Sequence, residues 1–195
     1  MEKGSTTERK RALRSALIEE RARLSPDQRL ELSRRIAERA RQLPAITNAR
    51  LVAVYVPLGT EVDALELVRL LEAEPPLLPR VVAGTRRLEF ARCAVQDLAR
   101  GPLGVRQPPA EIAAVDPAEV DCVVLPGIGF SLDGLRLGRG GGYYDATLRE
   151  MPRASRVGLA FEVQILPELP SEPHDARLDA LVTEARTLTF ARDRS

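Results

Sequence analysis

At 195 residues the chain has the length of one ordinary domain, enough to bury about 70% of the surface its unfolded form exposes. Its 29 basic and 28 acidic residues leave a formal charge of +1, which argues against a general nucleic-acid or membrane-surface binder. No apolar run approaches the ~18 residues that span a bilayer, and MEKGSTTERKR lacks the apolar core of a signal peptide, so a cytoplasmic, reduced, monomeric protein without a membrane or nucleic-acid partner is expected.

In chain order, Ser5-x-x-Glu8 is a capping box that opens a helix to about Leu24, and Ser25-Pro26-Asp27-Gln28 opens a second, together an N-terminal helical hairpin. Leu32, Ile36, Ala40 and Leu43 form a packing stripe on the second helix before Pro44 ends it. The period then changes. Leu51 to Val56 is a β-branched run stopped by Pro57, and a helix follows from about Ala64 to Leu71. Further strands are expected at Leu78–Val82, Leu88–Ala91, Val120–Leu125, Val157–Phe161 and Leu181–Thr183, with a helix from Tyr144 to Met151. Strands alternating with helices predict a layered α/β sheet, and the Pro-rich stretches at 75–76, 108–109 and 167–173 read as loops within a single domain, residues 1–195.

Gly127 to Gly142 (GIGFSLDGLRLGRGGG) holds seven of the thirteen glycines and leads abruptly into Tyr143-Tyr144-Asp145. Between a buried strand and a helix start, such a loop lets backbone N–H groups converge on an anion, because glycine permits a close approach that a Cβ blocks. Arg136 and Arg139 add charge. The stretch fits neither the Gly-Lys-Ser/Thr ending of a Walker-A loop nor GxGxxG, so it suggests phosphate without specifying a standard NTPase or dinucleotide site. Asp145 stands where a carboxylate either caps the helix or holds Mg²⁺ against phosphate oxygens.

Lys10 and Arg14, four apart, share one side of the first helix with Leu17. They read either as a phosphate grip or as part of a solvated basic face with Arg9, Arg11, Arg21 and Arg23. Glu61 follows a strand end, where ligand sites of α/β sheets form, and is equally placed to be a helix N-terminal acid. The sole histidine, His174, lies in a proline-rich loop without a GxSxG elbow and reads as a loop residue; Cys93 and Cys122 have neither metal spacing nor a disulfide framework.

Taken together, Lys10-x-x-x-Arg14, Tyr55-x-Pro57, Glu61-Val62-Asp63, Leu125-Pro126-Gly127-Ile128-Gly129-Phe130, Arg136-Leu137-Gly138-Arg139-Gly140-Gly141-Gly142-Tyr143-Tyr144-Asp145, Leu166-Pro167, His174-Asp175 and Leu178-Asp179 resemble the 5-formyltetrahydrofolate cyclo-ligase family, from about Lys10 to Thr183. The resemblance implies a three-layer α/β/α sandwich around a mostly parallel sheet. It also implies a MgATP-dependent closure of 5-formyltetrahydrofolate to 5,10-methenyltetrahydrofolate with release of ADP and phosphate. In the route it implies, the formamide oxygen attacks the γ-phosphorus, and the neighbouring folate nitrogen closes on the phosphorylated iminium before phosphate departs. Such a transfer depends on positioning and on neutralising phosphate charge.

Carried over residue by residue, the resemblance gives Lys10, Arg14 and Arg136 through Tyr144 to ATP, Asp145 and Asp179 to Mg²⁺, and Glu61 to the pterin. Arg139 and Tyr143 fall beside the reacting end of the substrate. Two positions depart from the family pattern: Ser131 stands where Asp is common, and Gln107-Pro108 where Glu-Pro is common. A regulator that kept only the nucleotide loop would be expected to lose Asp145, Asp179 or Glu61, and all three are present.

Overall fold

The computed structural model describes residues 5–72, 75–172 and 176–191, so the expectation for His174 lies outside the described residues. Both capping boxes form, at α1 (Thr6–Ala22) and α2 (Pro26–Ala40), with the cap side chain accepting from the third residue's N–H and that residue's side chain returning the bond. α2 ends at Ala40, earlier than the expected stop at Pro44, and Leu43 instead caps a further turn, α3 (Pro44–Thr47), which Pro44 opens, since a proline at the first helical position gives up no N–H the helix would use.

The remaining elements are β1 (Val52–Ala53), α4 (Leu65–Leu71), β2 (Leu77–Val81), β3 (Leu88–Arg92), β4 (Ala99–Arg100), β5 (Arg106–Gln107), β6 (Ala114–Val115), β7 (Cys122–Leu125), β8 (Gly129–Ser131), β9 (Arg136–Leu137), α5 (Tyr143–Thr147), β10 (Ser155–Leu159), β11 (Ile165–Leu166), β12 (Ala180–Val182) and β13 (Thr187–Thr189). Among the described residues the main sheet runs β13-β12-β10-β7-β1-β2-β3-β6. Its centre, β12 to β2, is parallel, and β13, β3 and β6 are antiparallel additions at the edges.

Alternation along the strands sends side chains to two faces. Val54, Val124, Val157 and Val182 pack under α2, α3 and α4 through Ile36, Ala40, Ile46 and Leu67. Ala53, Val123, Leu125 and Leu181 face the other way, toward Phe130, Leu148 and Met151. The result is the expected three-layer α/β arrangement. The two arms of the N-terminal hairpin serve different partners: α2 covers the main sheet, whereas Leu17 of α1 packs on Ile128, Leu135, Leu137 and Leu169 around a small sheet of β11, β8 and β9. No helix among the described residues is long and apolar enough to cross a membrane.

The topology positions the site. From β1 the chain moves to β2 on one side, and later returns to lay β7 against the other side of β1. The direction of winding therefore reverses between β1 and β7, and in open parallel sheets the crevice beyond the carboxyl ends of the strands at such a reversal is where ligands bind.

Candidate active site

A cavity of about 740 Å³ opens at this reversal. It is lined by Lys10 and Arg14 of α1, by Tyr55, Val56, Leu58 and Glu61 beyond β1, by Pro126 and residues 136–145 beyond β7, and by the β2, β3 and β5 side of the sheet. The glycine loop lies where the sequence placed it. Gly140 and Gly142 have φ of +96° and +72°, which an L side chain resists. Among the described residues, the backbone N–H groups of residues 138–142 donate to no protein acceptor. A row of such donors on a cationic wall is an anion cradle. The helix behind it is shorter than the sequence suggested, α5 followed by a 3-10 turn at Leu148–Glu150, so the loop and its cations carry the attraction more than a long helix dipole does.

Arg14 Nε donates to the Gly138 carbonyl at 2.8 Å, and Lys10 Nζ pairs with Glu172 at 2.8 Å, so both cations of α1 face the cavity. Arg136 is turned inward: one guanidinium nitrogen donates to the Pro126 carbonyl at 3.1 Å, and the other meets Asp145 Oδ1 at 2.6 Å, over the Tyr144 ring. Leu137 is a core residue at the cavity wall. Burial, with Glu61 nearby, raises the phenols of both Tyr144 and Tyr55 above their ordinary pKa, so both stay protonated near neutrality.

Glu61 is 8% exposed. Its Oε2 accepts from the Leu58 N–H at 2.9 Å, while Oε1 takes Arg139 Nε at 3.0 Å and Nη2 at 2.8 Å. It is therefore not the acid of the following helix: Asp63 accepts from the Leu65 N–H there. Glu61 instead closes the 58–61 turn and presents a carboxylate to the cavity beneath Arg139.

Sequence reasoning missed Arg21. Counted among surface cations, it is 2% exposed, donating to Thr60 Oγ1 at 3.0 Å and to the Gly127 carbonyl at 3.3 Å. Burial pulls its pKa below the ordinary value and Glu61 opposes that shift. It thereby ties α1 to the loops beyond both β1 and β7. The signal was present in the spacing, because 10, 14, 17 and 21 fall on one helical face and the buried residues of α1 are Lys10, Leu17 and Arg21. Arg21→Met is expected to lower stability by about 2 kcal/mol, within the range for hydrogen bonds to charged groups. For a chain of this length that moves the thermal midpoint by roughly 4–8 °C. An unchanged melting curve would mean that Gln164, which also donates to Gly127 at 3.0 Å, holds the loop by itself.

Asp179 requires a correction. It immediately precedes β12, its N–H donates to the Arg156 carbonyl, and its Oδ2 accepts from the Arg156 N–H at 2.7 Å. Arg156 lies in β10 beside Val123 of β7, near the amino ends of the parallel strands, whereas Asp145 borders the cavity at their carboxyl ends. The length of β7 separates the two carboxylates, so they do not converge on one ion. Of the two, Asp145 is the one placed where an ion beside a bound phosphate would need a carboxylate: it is on the cavity wall with its side chain about one-third exposed, and Mg²⁺ is commonly held by one carboxylate together with substrate phosphates and water.

The two departures have local explanations. Gln107 Oε1 accepts from the Val81 N–H at 3.1 Å, an acceptor role that a glutamate would also fill. Ser131 Oγ accepts from the Leu135 N–H at 3.1 Å and its hydroxyl donates to Asp133, closing the turn between β8 and β9.

Comparison with known proteins places these features in context. The 5-formyltetrahydrofolate cyclo-ligase family matches residues 6–184. The chain is 31% identical over 180 residues to the 5-formyltetrahydrofolate cyclo-ligase of Escherichia coli K12, covering 87% of this chain and 98% of the relative. It is 26% identical over 189 residues to the enzyme of that name from Mus musculus, covering 90% and 93%. The solution structure of 5,10-methenyltetrahydrofolate synthetase from Aquifex aeolicus superposes with a TM-score of 0.81 at 32% identity, over 95% of each chain.

Proposed function

The chain belongs to the 5-formyltetrahydrofolate cyclo-ligase family and is an enzyme of that type, and on that premise we propose that it uses MgATP to close 5-formyltetrahydrofolate to 5,10-methenyltetrahydrofolate, releasing ADP and phosphate. One observation carries the reading: a single cavity joins an anion cradle, with two helix-borne cations, to a buried carboxylate.

Lys10, Arg14 and the N–H groups of residues 138–142 receive the triphosphate, and Arg139, paired with Glu61, and Tyr143 line the same cavity. Arg136, with Pro126 and Asp145 as its partners, braces the loop from behind. When bound, Mg²⁺ offsets charge on the triphosphate, with Asp145 as its protein carboxylate. Glu61 accepts N–H donors of the pterin edge and so sets which folate atom faces the phosphate. The Glu61 oxygen facing the cavity is taken by Arg139, so the pterin competes with that guanidinium, which is then available to a phosphate.

The test is direct. Purified protein incubated with 5-formyltetrahydrofolate, ATP and Mg²⁺ should generate the near-ultraviolet absorbance of the methenyl product. Omission of ATP, or exhaustive chelation with EDTA, should abolish it. Equal turnover after chelation would remove Mg²⁺ from the reading, and no product under any condition would remove the reaction.

A further inference from the structure

The cavity extends past the features assigned so far. Its walls follow the sheet order from β7 through β1 and β2 to β3. With strands about 4.8 Å apart, the end of β3 is about 10 Å from that of β1 and about 14 Å from that of β7. Arg86, in the turn between β2 and β3, lies on the wall at that far end. Pro79, Val81, Leu88 and Val105 line this side of the cavity with Gln107, whose Oε1 is taken by the Val81 N–H, so the surface leading toward Arg86 is mainly apolar.

Arg86 differs from the other arginines of the cavity. Arg14 is committed to the Gly138 carbonyl, Arg136 to Asp145 and Arg139 to Glu61. The adjacent Arg87 leaves the cavity to pair with Glu150. Arg86 is exposed and, among the described residues, has no hydrogen-bond or ion-pair partner. A guanidinium at the end of an apolar channel, opposite a buried carboxylate, suits a ligand that carries N–H donors at one end, an aromatic spacer, and a carboxylate at the other.

Building on the folate reading above, we propose that Arg86 binds the glutamyl carboxylates of the substrate, making this turn the determinant of preference for a glutamylated tail. The pterin meets Glu61, the p-aminobenzoyl ring lies along Val81 and Leu88, and the tail emerges at the β2–β3 turn. Arg86 touches no reacting atom, so its effect falls on substrate capture and not on the chemical step.

Kinetics with two substrates, 5-formyltetrahydrofolate and its analogue lacking glutamate, 5-formyltetrahydropteroate, decide the matter. The parent should show a lower KM for the glutamylated substrate. Arg86→Ala should raise that KM about tenfold, the scale of one charge-assisted contact, with kcat and the KM for ATP unchanged. The variant should treat the des-glutamyl substrate as the parent does, and Arg86→Lys should recover part of the loss. A KM for the glutamylated substrate that is unchanged by Arg86→Ala, equal losses on both substrates, or a raised KM for ATP would each overturn the assignment. Turnover of both substrates by the parent with no such difference leaves the cyclo-ligase reading standing and removes this one, whereas turnover of neither removes the cyclo-ligase reading as well.

Discussion

Arg14→Ala is expected to lower turnover by on the order of 10², the loss that accompanies removal of one preorganised electrostatic contact to a developing charge. The structure adds a second reason for a large effect. The Arg14 side chain faces the cavity and also holds the Gly138 carbonyl, so the substitution removes a phosphate-facing charge and loosens the cradle whose N–H groups face the same ligand. Stability should change little, because the group is only partly buried and a lost contact of about 1 kcal/mol moves the midpoint of a chain this long by roughly 2–4 °C. Steady-state kinetics in ATP, with a thermal melt of the same preparation, test both halves. Normal ATP kinetics in the variant would return Lys10 and Arg14 to the status of a solvated face that happens to border the cavity.

The parts of this molecule that were legible in the sequence are those whose information is local. Ser5-x-x-Glu8 and Ser25-x-x-Gln28 specify their own helix starts, and the runs that became β2, β3, β7, β10 and β12 are continuous enough to show as strands. β4, β5, β8 and β9, of two or three residues each, are not expected from the sequence, whereas β1 and β12, equally short, lie in the apolar runs Leu51 to Val56 and Leu181–Thr183 that announce them. Arg21 is legible only in part: its spacing from Leu17 puts it on the buried face of the helix, whereas the partners that let an arginine be buried there, Thr60 and the Gly127 carbonyl, come from loops distant in sequence.

Asp179 teaches the opposite lesson. The residue just before a parallel strand sits at its amino end, while the crevice lies beyond the carboxyl ends, so strand polarity alone separates Asp179 from Asp145. That argument needs only the strand assignment. Glu61 passes the same test, since it follows β1, and so does the glycine loop, since it follows β7. Strand polarity therefore sorts carboxylates named by resemblance into those able to meet at the site and those that brace the far end of the sheet.

Glu61→Gln is expected to weaken folate binding about tenfold to a hundredfold while leaving ATP affinity nearly unchanged. The amide retains one acceptor, which the Leu58 N–H can occupy as it does now, and turns an NH₂ toward the donors that a pterin edge would bring, leaving a desolvated group unpaired. Hydrogen bonds to charged groups are worth about 1.5–3 kcal/mol, which is the source of that range. The same substitution also discharges the partner of Arg139, so a second variant is needed to separate the two effects. Arg139→Ala uncovers the Glu61 carboxylate without altering it, and should leave folate binding in the absence of ATP as tight as the parent's or tighter, while turnover falls. Calorimetric titration of each ligand into the parent and both variants decides between the readings. If folate binds Glu61→Gln as tightly as the parent, or if ATP binding collapses in parallel, the carboxylate serves only the 58–61 turn and the Arg139 contact, and the pterin must be held elsewhere along the cavity.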